Sequence, residues 1–387
     1  MEFIDLKAQY QYLQNEIDVN IREVLTGAHF ILGDKVEEFE MQLARYAGVK
    51  HVVSCSDGTA ALQLIFMANE ISDNDAVFCP DMTFVASVEP ACMLGATPVF
   101  CEIDQDTYNI SSSSLERQIK RVLQKGKLKP KAVVAVDFLG NPADYDRIRE
   151  IAERYHLLLI EDAAQGMGAS YRGIKCGALG DVAATSFFPS KPLGCYGDGG
   201  AVFTNDDVMA DKLRSLRVHG KGKTKYDNIR IGINSRLDSL QAAILIPKLR
   251  VLEEETLKRQ KIADDYVGVL KDKIKVQAIT QHAISSYAQF VLMAESAGER
   301  KMLQEGLQKK GIPTIRYYPT PLHRLPVFHN IETYGEKFDI ADKYAECSFG
   351  IPFSPYISLD EMKQVTDCIV EALAAGWQNV RERKSEN

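Results

Sequence analysis

The sequence predicts an α/β protein: a large domain with a mostly parallel central sheet flanked by helices, followed by a smaller α+β C-terminal domain. Three observations carry this. Short apolar runs alternate with amphipathic stretches through the first half, as they do in sheets covered by helices on both faces. From Ser235 the texture changes to a long, charged, helically periodic stretch that reaches about Lys271. And 387 residues exceed what one ordinary core organises, which implies about two domains. The expected division is 1–245 and 246–387.

In chain order, Val77–Cys79, Pro98–Cys101, Ala132–Val136 and Leu157–Ile160 read as short strands, several bounded by Gly, Pro, Asn or Asp. Between them Ala60–Met67, Phe84–Leu94 and Ala143–Arg154 carry helical spacing. Two further apolar runs, Asp181–Phe188 and Gly200–Phe203, flank PSKPLGCYGDG, which is too rich in Gly and Pro for either element. The stretch from Ser235 to Lys271 is a connecting helix interrupted at Pro247. A strand at Tyr287–Met293 and helices at Glu299–Lys310 and Leu359–Ala375 make up the smaller domain. The tail RERKSEN is expected to fray.

Hydrophobic residues at 45% and charged residues at 26% fit a soluble globular protein. The net charge of −7 is spread without a basic stripe, so nucleic acid is not an expected partner. A few local cations or backbone N–H groups can still bind small anions. The N-terminal MEFIDLKAQY has no apolar h-region, and no stretch approaches the ~20 apolar residues of a spanning helix. The expectation is a cytoplasmic protein without a membrane partner. Eight cysteines show no C-x-x-C pair and no metal-ligand spacing, so no metal is expected. Cys55, Cys79, Cys92 and Cys101 read as small buried residues.

Four features of the first domain point to one kind of site. Ser54-Cys55-Ser56-Asp57-Gly58-Thr59 follows a strand and opens a helix, which offers free N–H groups and a positive dipole end to a phosphate. A plain cap by Ser56 or Asp57 would give the same pattern. Glu161-Asp162 ends a buried strand, where parallel sheets place ligands, and a carboxylate there can keep a pyridinium nitrogen protonated. A metal ligand or a helix cap is the alternative. Thr185 to Lys191 is a strand emptying into a loop that ends in lysine. A Schiff-base lysine needs a partly dry site to lower its pKa, whereas an ordinary lysine sits in a wet turn. Gly197-Asp198-Gly199-Gly200 lets backbone pass close to a bound group.

Two decoys are set aside. Gly220-Lys221-Gly222-Lys223-Thr224 ends like a phosphate-binding loop, but Arg217 stands where its first glycine is required. No G-x-G-x-x-G follows the first strand.

Taken together, FIDLKAQY, HFILGDKVEEFE, SDGTAAL, EDAAQ, SFFPSKPLGCYGDGGA, GINSRLDSLQAAIL and YYPTPLH make the chain resemble the DegT/DnrJ/StrS nucleotide-sugar aminotransferases over nearly its whole length. The resemblance implies the type I fold of pyridoxal-phosphate (PLP) transferases, with PLP held by Lys191 as a Schiff base. It implies that Asp162 pairs with the pyridinium nitrogen and that Gln165 and Ser186 flank ring and phosphate. Gly58 and Thr59 would bind the phosphate and Phe84 would stack on the ring. Asn234 would reach the neighbouring subunit's cofactor, making a homodimer with shared active sites the minimal unit. The implied substrates are L-glutamate and a nucleotide-linked keto sugar. A lysine at 191, where related dehydratases carry histidine, favours transamination.

The run around Lys191 is most similar to enzymes that aminate C3 of a UDP-linked 3-keto-N-acetylhexosaminuronate for bacterial surface polysaccharide. The chain departs from that subgroup's His-Tyr pattern at Tyr317, while Tyr318 keeps the second position. Arg236 suits a carboxylate or diphosphate, or equally an ion pair with Asp238 or another acid. His29 and Phe30 precede a turn the family places near substrate, although Phe30 reads equally well as core. The alternatives are amination at C4 of a UDP sugar or C3 of a dTDP-6-deoxy sugar, and a PLP-binding regulator without catalysis.

Overall fold

The computed structural model describes residues 1–224 and 226–385, with side chains described through residue 374. Helices α1 (Leu6–Gly27) and α2 (Asp34–Ala47) precede the sheet domain. That domain runs β1 (His51–Cys55), α3 (Gly58–Ala68), β2 (Asp75–Pro80), α4 (Glu89–Met93), β3 (Thr97–Cys101), α5 (Ser112–Lys125), β4 (Lys129–Val136), α6 (Tyr145–Tyr155) and β5 (Leu158–Asp162). A small hairpin, β6 (Ser170–Tyr171) and β7 (Ile174–Lys175), leads to β8 (Val182–Ser186), β9 (Gly200–Thr204) and α7 (Asp207–Leu216). The long α8 (Ser239–Leu270) is followed by β10 (Lys275–Val276), β11 (Ala283–Ile284), β12 (Phe290–Met293), α9 (Ala297–Lys309), α10 (Asp339–Cys347), β13 (Ser348–Ile351) and α11 (Leu359–Ser385).

The main sheet has seven strands in the order β1-β9-β8-β5-β4-β2-β3. From β8 to β3 all pairings are parallel, and β9 alone runs against both its neighbours. Along each central strand, successive residues enter opposite cores. Val134 and Ile160 face α3 with Leu62 and Ile65, while Val133 and Leu159 face α5 and α6 with Ile119 and Ile148. Both faces are apolar, so these strands read as unbroken hydrophobic runs. A second, three-stranded sheet, β10-β12-β13, packs its own core against α8, α9 and α11.

Several elements differ from expectation. Phe84–Leu94 is not one helix: a 3-10 turn at Val85–Ser87 is separated from α4 by Val88, whose φ is −134°. A continuous helix would need an N–H from Pro90 to the Ala86 carbonyl, and proline has none. The strand expected from Tyr287 begins at Phe290, because Tyr287 has a φ of +46° and leaves the extended region. Pro247 does not interrupt α8, which passes unbroken through residues 245 and 246. The Ala243 carbonyl that Pro247 cannot serve accepts instead from the Asn20 side-chain amide of α1 at 3.1 Å. The helix expected to end at Ala375 runs on to Ser385, so most of the RERKSEN tail is helical, and 386–387 lie outside the described residues. Cys92 is only half-buried, whereas Cys55, Cys79 and Cys101 are buried. Among the described residues no helix is long and apolar enough to cross a membrane.

Candidate active site

The C-terminal edge of the parallel strands opens into a cavity of about 400 Å³. Lys191, Asp162, Gln165 and Ser186 line it, as do Gly58, Thr59 and Phe84. Tyr317 and Tyr318, from the segment that follows α9, close it.

Asp162 is the last residue of β5. Strand alternation turns it to the same face as Ile160, toward α3, and sends Glu161 to the other. Asp162 Oδ2 accepts from the Ser87 hydroxyl at 2.7 Å and Oδ1 from the Ala164 N–H at 3.1 Å. Ser87 has one proton and gives it to Asp162, so the Thr83 hydroxyl, 2.8 Å away, donates to Ser87. Burial pushes the Asp162 carboxyl above the usual range, while Ser87, Ala164 and the charge of Lys191 pull it back. Glu161 is occupied elsewhere: its carboxylate accepts from the N–H groups of Gly177, Leu179 and Gly180.

Lys191 sits on a loop pinned at both ends. The Phe187 N–H donates to Gly199 O at 2.7 Å, and the Cys195 N–H to Phe187 O at 2.8 Å. From beneath, α8 fastens the loop through Lys248 Nζ, which donates to Gly194 O at 2.6 Å, and Gln241 Oε1, which accepts from the Tyr196 N–H at 2.9 Å. Lys248 is itself buried under the Tyr196 ring, 4.1 Å from its centroid, and desolvation lowers its pKa to about 8. Burial likewise lowers the pKa of Lys191, against the opposing pull of Asp162. Burial thus favours the neutral amine at Lys191 relative to a lysine in water.

At the start of α3, Asp57 is the cap: its Oδ1 accepts from the Ala60 N–H at 2.8 Å and its carbonyl from Ala61. The N–H groups of Gly58 and Thr59 have no partner among the described residues. Two free donors at a positive dipole end form an anion cup. Glycine at 58 permits its closeness to the sheet, since a Cβ there would lie 2.7 Å from Ser186 Cβ. Gly200 allows the same approach, as its Cβ would lie 2.3 Å from the Asp57 carbonyl oxygen.

The aromatic wall joins two distant chain segments. Phe84 and Tyr318 pack with ring centroids 5.6 Å apart. Gln165 ties the wall to the loop after β4, accepting from the Leu139 N–H at 2.6 Å and donating to the Tyr318 hydroxyl at 3.3 Å. Burial pushes the Tyr317 phenol up to about 12. Asp81, the residue after β2, accepts from the His323 N–H at 2.9 Å and meets His323 Nδ1 at 2.6 Å.

A family model for the DegT/DnrJ/EryC1/StrS aminotransferases matches residues 11–370. The chain belongs to this family. The aminotransferase is 43% identical to the UDP-2-acetamido-2-deoxy-3-oxo-D-glucuronate aminotransferase of Pseudomonas aeruginosa, over 94% of this chain and 98% of that one. It is 38% identical to a pleiotropic regulatory protein of Geobacillus stearothermophilus, over 95% and 97% of the two chains. Among solved structures, a DegT/DnrJ/EryC1/StrS aminotransferase from Brucella abortus superposes with a TM-score of 0.94 at 43% identity, covering 96% of this chain and 99% of that one. The aminotransferase is a PLP enzyme of the type I fold.

The cavity of the aminotransferase suits that cofactor: a buried acid for a ring nitrogen, a desolvated amine, two free N–H groups for a phosphate and aromatic surface for the ring. Four predicted residues lie outside it. His29 and Phe30 sit on a segment tied to the start of α8, where the Ser239 N–H donates to Phe30 O at 2.9 Å and Ile31 bridges Asp238. Phe30 is 45% exposed, so the core reading of this residue does not hold. Asn234 bridges Val218 through its backbone and is exposed. Arg236 makes no ion pair with Asp238 among the described residues. Sequence reasoning missed Ser87, Thr83 and Gln289. Ser87 was hidden in a stretch read as helix, and the trace of Gln289 was one amide inside an apolar strand pattern.

Proposed function

We propose that this aminotransferase moves the amino group of L-glutamate to the C3 ketone of a UDP-linked 2-acetamido-3-keto-hexuronate, in the bacterial cytoplasm, for surface polysaccharide. The carrying observation is that the Lys191 amine and the Asp162 carboxyl line one cavity with a free N–H pair at its edge. The match to the Pseudomonas enzyme along nearly both whole chains supports the choice of sugar.

PLP, when bound, supplies an electron sink for charge developing at the carbon that loses its proton. In this reading Asp162 keeps the ring nitrogen protonated, and Ser87 keeps Asp162 ionised. Gly58, Thr59 and Ser186 hold the phosphate, Phe84 covers the ring and Gln165 sets its edge. Lys191 would hold the cofactor, and its amine, when free, would carry the proton away from the donor's Cα. In the second half-reaction it returns a proton to the sugar carbon.

Asn234, Arg236, His29 and Phe30 act in this reading across a homodimer. Exposed Phe30, Ile31, Ile229 and Ile231 give the surface around them the apolar character of an interface. Asn234 would reach the phosphate bound by a second copy, and Arg236, Tyr317 and Tyr318 would face the sugar.

The test has two stages. Visible absorbance of the holoenzyme should bleach on adding L-glutamate. A panel of nucleotide keto sugars, generated in situ by a sugar dehydrogenase, should then restore it, the UDP-linked 3-keto-uronate most efficiently. A protein that binds PLP but bleaches with no amino donor would be a regulator instead.

A further inference from the structure

Gln289 is the residue immediately before β12, and its main chain is fixed by its neighbours. The Ser286 N–H donates to Gly140 O at 2.9 Å and the Ala288 N–H to Leu139 O at 3.0 Å. Gln289 lines the same cavity as Lys191, Tyr317 and Tyr318. It is 5% exposed, and Oε1 has no hydrogen-bond partner. The amide nitrogen donates to no described residue either. A buried amide left unpaired is costly, so one standing at a cavity wall suits completion by a ligand. Two other polar side chains of this cavity are engaged: Asp162 with Ser87, and Gln165 with Leu139 and Tyr318.

The form of the missing partner follows from that of the amide. Gln289 is neutral and offers one acceptor and one donor edge in a plane. A carboxylate or diphosphate would leave Oε1 facing negative charge. A hydroxyl can donate to Oε1, but it rotates and its single proton can go to another oxygen. A secondary amide holds its N–H in a fixed plane with the carbonyl pointing the opposite way, so its N–H alone donates to Oε1, while its methyl can lie on the rings of Tyr317 and Tyr318.

We propose that Gln289 is a specificity-determining residue that pairs its free side-chain amide with a secondary amide of the sugar, beside the carbon that receives nitrogen. The proposal rests on the nucleotide-sugar reading above and deepens it by naming the group recognised. A site that hydrogen-bonds such a group rejects the analogue lacking it, because its own buried polar atoms are then unpaired.

The experiment compares the holoenzyme on a UDP-3-keto sugar bearing a 2-acetamido group with its 2-hydroxy counterpart, both made in situ. The parent should favour the acetamido sugar by about 10- to 100-fold in kcat/KM. Gln289→Leu should bring that ratio to within about threefold of unity, chiefly through a raised KM for the acetamido sugar. Gln289→Asn, with the amide on a shorter arm, should fall between the two. A parent that L-glutamate does not bleach overturns the transaminase reading and this inference with it. A parent that bleaches, with an unchanged ratio in Gln289→Leu, overturns this inference alone, as does an equal loss on both sugars. Should Gln289→Leu not bind PLP, Gln289→Asn decides, and an unchanged ratio there is the overturning result.

Discussion

Ser87 gives its hydroxyl proton to Asp162 Oδ2 across 2.7 Å, and Thr83 fixes Ser87 in that role. Burial drives the Asp162 carboxyl toward its neutral form, and Ser87 is the largest influence opposing it. Ser87→Ala should therefore raise the Asp162 pKa further and move the acidic limb of the kcat/KM profile to higher pH. Turnover at neutral pH should fall about tenfold, the worth of one hydrogen bond to a charged group. Ser87→Thr should recover most of it. An acidic limb that does not move would show that Ser87 is only packing.

Lys191→Ala should lower turnover by about 1,000-fold or more, because the group that carries the proton is gone. Pyridoxamine phosphate should still bind through Asp162 and the N–H pair at Gly58 and Thr59. Near-ultraviolet absorbance retained after dialysis checks binding, and a steady-state assay checks the loss.

Asn234→Ala should release the cofactor about tenfold faster on dialysis while the protein stays dimeric, if its amide serves a second chain's phosphate. Sedimentation provides the companion measurement. A fully active monomer would contradict the shared site.

Lys248 gives a stability prediction with a defined sign. Its pKa is about 8 in the folded chain and near 10.5 when unfolded, so the folded state prefers the neutral amine. The stability this group contributes is fully present above 10.5 and is lost as pH falls through 8. Relative to Lys248→Met, the parent should thus gain unfolding free energy as pH rises from 8 to 10.5. Urea melts at several pH values would reveal it, and a constant difference would mean that Lys248 is not desolvated in solution.

Asn20→Ala should cost about 1 kcal/mol in urea unfolding, because it orphans the Ala243 carbonyl beside Pro247. Pro247→Ala returns a helical N–H to that carbonyl, and in its background the Asn20 substitution should cost less. A double-mutant cycle tests the coupling directly.

The gathering of these residues in one cavity was legible because each sits where one chain segment changes its conformation: a strand end at Asp162, a helix start at Gly58, a loop at Lys191. Such transitions leave marks in local sequence. Ser87 was hidden because Pro90, three residues on, breaks a pattern that otherwise reads as helix. Gln289 was obscured in another way, since strand periodicity cannot tell a tolerated polar residue from one aimed into a cavity. Asn234, Arg236, His29 and Phe30 came from family likeness alone. Nothing in one chain's periodicity could report on a contact with a second copy of the kind proposed for them. The unbroken α8 shows a similar gap: a proline forecasts a break, and only the tertiary structure brings Asn20 to mend it.

That helix has a mechanical consequence. At 32 residues α8 is about 48 Å long. Its first half packs Leu245 and Leu249 against Phe187 and Leu193 of the lysine loop, and its second half carries Ile262, Tyr266 and Leu270 into the small-domain core. One stiff rod is thus the mount for the Lys191 loop and the keel of the other domain. A tilt of the small domain about this axis would be felt at Lys191 as a change of aim, with no loop in between to absorb it.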